Sequence, residues 1–221
     1  MSESRKRSYG QYCAVARSLD LLGGRWTLLI IRELLQGPRR FVDLANALPG
    51  MAPNLLSTRL SDLNRDKLIK KRKVRLPGSG LAYELTDRGR ELETVLLALS
   101  RWGRPLMGPL KSGEQFSARW LLLGLRGRFS PADFEGVREE YEFRVGRETI
   151  HARVLDGRLE TREGPAEEPD VVISASRKDF LAVALGQIQL TEAVKTGRIT
   201  IEGDPAAKCR CVQAFLQNQT A

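Results

Sequence analysis

The sequence predicts an α+β protein of two domains, residues 1–107 and 108–221, on three observations. The first half reads as short amphipathic helices closed by a hairpin, with apolar residues at i, i+3, i+4 and i+7. The second half alternates apolar and polar residues first and turns helical afterwards, the order of an α+β layer rather than of repeated βαβ units. Charge divides at the same place. Residues 1–110 carry 20 Lys and Arg against 10 Asp and Glu, a net of +10. Residues 111–221 carry 16 against 17, a net of −1, and the two recover the +9 of the whole chain. Basic character therefore belongs to one half, and it calls for an acidic partner, nucleic acid ahead of an anionic membrane.

Composition excludes several classes. At 42% hydrophobic and 29% charged, the chain sits with folded soluble proteins and away from collagen-like, disordered and disulfide-framework chains. The densest apolar run, Trp120 to Leu123, falls far short of the roughly 20 residues a membrane span needs. The start, MSESRKRSYG, lacks a signal-peptide apolar core, so the expectation is a cytoplasmic protein without membrane insertion. Three Cys (Cys13, Cys209, Cys211) and one His (His151) form no metal-ligand spacing, and neither a metal nor a cofactor is expected. His151 lies opposite Ile150, Ala152 and Val154 in an alternating run, the place of an exposed strand residue rather than of a catalytic base. Gly78-Ser79-Gly80 supplies turn geometry between two strand-like runs. The chain is not expected to be an enzyme.

The basic half resolves element by element. Val15, Leu19 and Leu22 mark a helix that stops at Gly23-Gly24. A second helix runs from about Trp26 to Leu35 and ends at Gly37-Pro38. A third carries Phe41, Leu44, Ala45 and Leu48 before Pro49-Gly50 breaks the chain. The fourth opens at Pro53, with an apolar stripe of Leu56, Leu60 and Leu63 and an opposite face of Asn54, Thr58, Ser61 and Arg65. Two short helices joined by a tight turn, the second with a small polar face, suit a helix-turn-helix reader of the major groove. Asn pairs with adenine, and Ser and Thr contact several bases, so Asn54, Ser57 and Thr58 are the candidate base contacts.

A solvated polar face alone would look the same, but the segment after this helix separates the two readings. Ile69 to Leu76 is strand-length and carries five cations, Pro77 to Gly80 turns it, and Leu81 to Thr86 returns. Such a cationic hairpin beside a reading helix is a wing laid along the sugar-phosphate backbone. The N-terminal fold is thus a winged helix-turn-helix, with Arg39, Arg40, Lys71, Arg72, Lys73 and Arg75 as candidate backbone contacts. Thr86 caps one long helix carrying Leu92, Val95, Leu96, Leu99, Trp102 and Leu106. That stripe exceeds what a small winged domain covers, so it and the first helix read as a homodimer surface spacing two reading helices about one DNA turn apart. The other reading is a core helix packed on the second half.

These residues also carry a family resemblance. Cys13-Ala14-Val15, Leu22-Gly23-Gly24-Arg25-Trp26-Thr27, Gly37-Pro38-Arg39-Arg40-Phe41, Leu48-Pro49-Gly50, Leu56-Ser57-Thr58-Arg59-Leu60 and Tyr83 to Gly89 together resemble the HxlR-type winged-helix transcription regulators over residues 11–107. The resemblance implies a homodimer binding double-stranded operator DNA. It departs at Ala52, where the family has Ser, so a capping hydroxyl is missing while Pro53 pre-sets the helix start. Cys13 stands where some members carry an oxidant-sensing Cys, and Arg5, Lys6, Arg7, Arg17 and a helix N-terminus favour its thiolate. The preferred reading of Cys13 is a small apolar helix residue, because a second input domain makes a thiol sensor less necessary.

In the neutral half, Pro105, Gly108, Pro109 and Gly113 mark a linker near 106–115, and Ala118 to Leu125 reads as a buried helix or strand. Tyr141-Phe143-Val145 and Ile150-Ala152-Val154 alternate as strands, Asp156-Gly157 turns a hairpin towards Leu159 and Thr161, and Asp170 to Ser174 is a further strand. Helical patterns follow at Lys178–Leu185 and Thr191–Lys195, then a strand in Gly197 to Asp204 and a helix from Pro205 to about Gln217. Val172-Ile173-Ser174, Leu185-Gly186 and Gly197-Arg198-Ile199-Thr200-Ile201-Glu202-Gly203-Asp204 make this half resemble the SCP2-like (sterol carrier protein-2) domain over 117–217. The resemblance implies an apolar tunnel, for which Trp120, Leu123, Phe134, Phe143, Phe180, Leu185 and Phe215 are the candidate lining; each is equally suited to ordinary core. Cys209 and Cys211, two apart on a helix, point to different faces.

The expected function is a homodimeric DNA-binding transcriptional regulator, its operator affinity modulated by a small apolar ligand in the second domain. The alternatives are a thiol-based redox regulator acting through Cys13 and a lipid carrier, the latter leaving the +10 half without a purpose.

Overall fold

The computed structural model describes residues 8–74 and 80–216, and by contacts the chain divides into two units, Met1–Leu96 and Leu97–Ala221. In the first, α1 (Ala14–Leu22), α2 (Thr27–Leu34), α3 (Phe41–Ala47) and α4 (Pro53–Arg65) come in the order their periodicity predicts. Pro53 stands at the first turn of α4, and Ala52 in the capping position makes no side-chain hydrogen bond. Leu56, Leu60 and Leu63 are each 1% exposed. Ile30, Ile31, Leu34, Leu44 and Leu48 complete this core.

The wing is a hairpin of β2 (Ile69–Val74) and β3 (Gly80–Leu85), paired antiparallel from Ile69↔Leu85 to Val74↔Gly80. Arg75 and Pro77 to Ser79 of the expected hairpin lie outside the described residues. A two-residue strand, β1 (Arg39–Arg40), adds to β3 on its other side and gives the order β1-β3-β2. Sequence reasoning missed it because two residues carry no readable alternation.

The single long helix expected from Thr86 is divided. Thr86 does cap it, its Oγ1 accepting from the Gly89 amide at 3.1 Å. The helix then reads as α5 (Asp87–Arg90), a loosened turn at Glu91, α6 (Leu92–Gly103) and a 3-10 turn over Arg104–Leu106. Glu91 keeps right-handed helical angles (φ −55°, ψ −26°), so the interruption is one of hydrogen bonding rather than direction. Pro105 lies within the closing 3-10 turn, as expected where the regular helix can no longer continue.

The second unit is a five-stranded sheet, order β6-β5-β4-β7-β8, formed by β4 (Arg138–Val145), β5 (Glu148–Leu155), β6 (Arg158–Glu163), β7 (Val171–Ala175) and β8 (Ile199–Gly203). All pairs are antiparallel except β4 with β7. The last strand follows the helices as the sequence predicts, and the segment from Ala118, which the sequence left open between helix and strand, is helical. Ala118–Trp120 and α7 (Leu121–Arg128) precede the sheet, and β8 joins it after α8 (Arg177–Ala184) and α9 (Leu190–Lys195). α10 (Pro205–Cys211) closes the fold and runs into a π-helical turn, Val212–Leu216. One face of the sheet buries Tyr141, Phe143, Val145, Ile150, Ala152 and Val154, the residues the alternation selects. His151 is on the other face but half-buried, not exposed; its Nδ1 lies 2.9 Å from the Gly164 carbonyl, which accepts from it.

Candidate functional site

α4 turns its polar face fully outward. Asn54, Ser57, Thr58 and Ser61 are exposed, directly behind the buried leucines. The Asn54 Oδ1 accepts from the Leu55 amide at 2.8 Å, one of the N–H groups a helix start leaves without an intrahelical partner. Its NH2 group and the second lone pair of Oδ1 remain free to pair. Thr58 spends its hydroxyl proton on the Asn54 carbonyl at 3.0 Å, so its oxygen faces outward as an acceptor.

Arg59 anchors this helix. Its Nε donates to the Arg25 carbonyl at 3.3 Å and its guanidinium pairs with Asp62 at 3.5 Å. A Cβ on Gly24 would come within 3.0 Å of that guanidinium, so the second glycine of Gly23-Gly24 is the gap the arginine lies in. Two single variants and their double test this. Gly24→Ala should cost about 1 kcal/mol in urea unfolding and nothing measurable once Arg59→Ala has emptied the space. Additive costs would contradict the packing.

The cations of the wing fall into two sets. Lys70 and Arg72 both reach Glu84 across the hairpin, at 3.1 Å each. Burial alone would raise the Glu84 carboxyl, but the hydrogen bonds from Lys70 and Arg72 together hold it below its ordinary value. A depressed acid stabilises the fold above the unfolded carboxyl pKa of about 4.3 and loses that contribution as pH falls through the folded value. Glu84→Gln is therefore expected to lower thermal stability modestly at pH 7 to 8 and to flatten the acid limb below about pH 4.5, so that the variant and the parent converge at low pH. Lys71 and Lys73 lie on the alternate face, opposite Tyr83 and Leu81, and among the described residues no carboxylate is within ion-pair distance of either.

Arg39 and Arg40 sit in β1 rather than in a free turn. Arg40 is held by Asp43 through two side-chain bonds of 3.0 and 3.1 Å, while the Arg40 amide also donates to Asp43 at 3.1 Å. Arg40 donates every one of these bonds; the Asp43 carboxylate reaches back to the amide preceding α3, the arginine pKa rises and that of the carboxyl falls. The expected phosphate contact at Arg40 is thus already engaged as a cap, a pairing that needed Asp43 three residues on to be noticed. Arg75 lies outside the described residues.

Cys13 is exposed and forms the capping position before α1, not part of its apolar stripe. In the second unit, Phe134, Phe143, Phe180 and Phe215 belong to the packed core. The Phe215 centroid lies 6.2 Å from Phe134, 5.8 Å from Tyr141 and 6.4 Å from Phe143, so these rings fill the space between sheet and helices with one another. Leu123 is buried outside that cluster, and Trp120 and Leu185 are half-buried. An open hollow of about 360 Å³ is lined instead by Ile201, Pro205, Lys208, Cys209, Val212 and Gln213, none of them among the seven expected. Cys209 is exposed there and Cys211 buried, on different faces. Among the described residues no helix is long and apolar enough to cross a membrane.

Residues 128–214 match the SCP-2 sterol transfer family. Residues 21–110 match the HxlR-like helix-turn-helix family. The chain is 36% identical over 94 residues to an uncharacterized HTH-type transcriptional regulator of Synechocystis, covering 42% of this chain and 70% of the relative. It is 28% identical over 92 residues to the HTH-type transcriptional regulator YodB of Bacillus subtilis, covering 42% of this chain and 82% of YodB. The solved reduced form of YodB superposes with a TM-score of 0.39 at 27% identity, over 46% of this chain and 100% of that one. The wing, the reading helix and the ordered motifs between Leu22 and Gly89 agree with the sequence match, and the chain belongs to the HxlR-like helix-turn-helix family.

Proposed function

We propose that this chain is a DNA-binding transcriptional regulator that acts as a homodimer on double-stranded operator DNA, with its second domain, from residue 108 on, as the input module. The observation that carries the reading is α4: three fully buried leucines hold out Asn54, Ser57 and Thr58, and the next element in the chain is the cationic strand β2. In this reading Asn54, Ser57 and Thr58 contact bases. Lys71 and Lys73 lead the phosphate contacts, Arg39, Arg72 and Arg75 assist, and Arg40 contributes mainly by fixing α3. No catalytic step belongs to the function.

Dimerisation is supported by apolar side chains left in water. Val95, Leu99, Trp102 and Leu106 follow a helical spacing and are 48%, 45%, 71% and 72% exposed, and Val15 of α1 is 67% exposed. Surfaces of this kind mark association. Regulation by a small apolar ligand rests on the SCP-2 match of residues 128–214 and requires different ligand affinity for the DNA-competent and incompetent arrangements. A second reading, redox control through Cys13, has its own support in the exposure of that thiol ahead of α1; Cys13→Ser should then abolish any oxidant response.

The test is anisotropy titration of a labelled operator duplex at increasing salt. About six phosphates neutralised per dimer give a slope of log K against log salt near −5. A slope near zero would remove the wing from the interface. Native mass spectrometry of the same preparation should weigh a dimer, and a monomer would remove the pairing.

A further inference from the structure

Among the described residues, three other than glycine have left-handed backbone angles: Trp26, Lys67 and Asp156. Lys67 follows the end of α4 and Asp156 turns the hairpin of β5 and β6, both ordinary places for such a residue. Trp26 is different. The Thr27 amide donates to the Gly24 carbonyl at 3.1 Å, closing a four-residue turn in which Trp26 stands third. Its angles, φ 78° and ψ −19°, are those a type II turn requires at that position, which suits Gly or Asn and is costly for a bulky side chain. Strain of this kind persists only where the surrounding structure holds it, and it collects at functional sites.

The strained turn fixes the place of Arg25. The Arg25 carbonyl accepts from the Nε of Arg59, in α4, at 3.3 Å. The Trp26 ring reaches the chain entering α4, for a Cβ on Gly50 would lie 3.9 Å from its Cη2. Over that ring lies the Arg25 guanidinium, 5.5 Å from the centroid. Arg25 is thereby tied beside the N-terminal half of α4. It is exposed, and among the described residues no carboxylate is within ion-pair distance of it. Stacking occupies the face of a guanidinium and leaves the N–H donors around its edge open, the geometry that meets a phosphate.

A helix with its side chains is about 10–12 Å across and the major groove about 12 Å wide, so groups beside a reading helix stand against the sugar-phosphate walls. The wing strand β2 follows the C-terminal end of α4, and Arg25 lies towards the other end. We propose that Arg25 is a DNA-phosphate contact separate from the wing, with Trp26 as its positioning residue. The proposal rests on the DNA-binding reading and adds to it a contact that neither α4 nor the hairpin supplies.

Anisotropy titration of the full chain at four salt concentrations tests it, on two labelled duplexes of about 30 base pairs, one A·T-rich and one G·C-rich. Arg25→Gln removes one phosphate contact per protomer, two per dimer. It should weaken binding about 30-fold near 0.15 M salt and move a slope near −5 to about −3 on both duplexes. The backbone carbonyl that holds Arg59 is untouched, so Tm should stay level. Arg25→Lys keeps the charge and should keep the slope, with a several-fold loss of affinity. Trp26→Leu should do the same, because the guanidinium loses its platform. Arg25→Glu, a second substitution of the same exposed side chain, should weaken binding more than Arg25→Gln. Affinity and slope unchanged in Arg25→Gln and Arg25→Glu, beside a Lys71→Ala, Lys73→Ala double variant that flattens the slope, overturn the proposal and leave the DNA-binding reading standing. A lowered Tm with an unchanged slope marks a merely structural arginine and overturns it too. So does a loss confined to one duplex, since a phosphate contact reads no sequence. A wild-type slope near zero removes the DNA-binding reading itself, and this contact with it.

Discussion

Replacing Lys71 and Lys73 together by alanine is expected to weaken DNA binding about 10³-fold near 0.15 M salt, with little effect on folding. Both side chains are exposed on β2, and among the described residues neither has a carboxylate at ion-pair distance. Each phosphate neutralised contributes about 0.9 to the salt slope, so removing two per protomer, four per dimer, moves a slope near −5 to about −1.5. The loss should be uniform over unrelated duplexes, because phosphate contacts position the protein without reading sequence. Anisotropy titrations on operator and scrambled duplexes at four salt concentrations measure both quantities. An unchanged slope, or a loss confined to the operator, would place these lysines elsewhere. Lys70→Ala is the control: its ammonium is already engaged by Glu84, and its effect should be several-fold smaller.

Gly89→Ala should destabilise the first unit by about 3 kcal/mol, although alanine is the better helix former by about 1 kcal/mol. Gly89 is in α5, where β2 and β3 meet the helix. A Cβ there would lie 2.1 Å from the Leu68 carbonyl oxygen and 3.1 Å from Leu85. That oxygen is not free to retreat, since it accepts from the Thr86 amide at 3.0 Å and from the Thr86 hydroxyl at 3.2 Å. The Gly89 amide in turn donates to the same hydroxyl. Moving α5 aside therefore breaks the cap and the strand junction together. Gly103→Ala in α6 is the control, for a Cβ there meets nothing within 4 Å and stability should stay level or rise. Urea unfolding followed by circular dichroism separates the two; equal effects at both positions would mean that the junction relaxes freely.

Much of the candidate site is legible in the chain itself. Leucines 56, 60 and 63 are spaced for one helix face, and all three are buried. That spacing alone puts Asn54, Ser57 and Thr58 on the outward side. Pro53, the Thr86 cap and the Asp156-Gly157 turn are equally local, as each depends on one residue's φ preference or a hydrogen bond three residues long. The core of the second unit is legible for the same reason, through the period-2 alternation of β4 and β5. That alternation does not tell a ligand tunnel from packed rings, because lining and core residues share one chemistry.

Element order, inward and outward faces, the basic character of the first half and the motifs of the family are all written in neighbouring residues. Which cations are committed is mostly not, because apart from Arg40 and its near neighbour Asp43 their partners come from far along the chain. Arg72 meets Glu84 across 12 residues, Arg59 the Arg25 carbonyl across 34, and Arg104 the Ala184 carbonyl across 80. The parallel pairing of β4 with β7 and the existence of β1 likewise emerge only in three dimensions. The reason is range. Periodicity and capping act over a turn or a pleat, while charge pairing and close approach depend on where folding brings distant segments together.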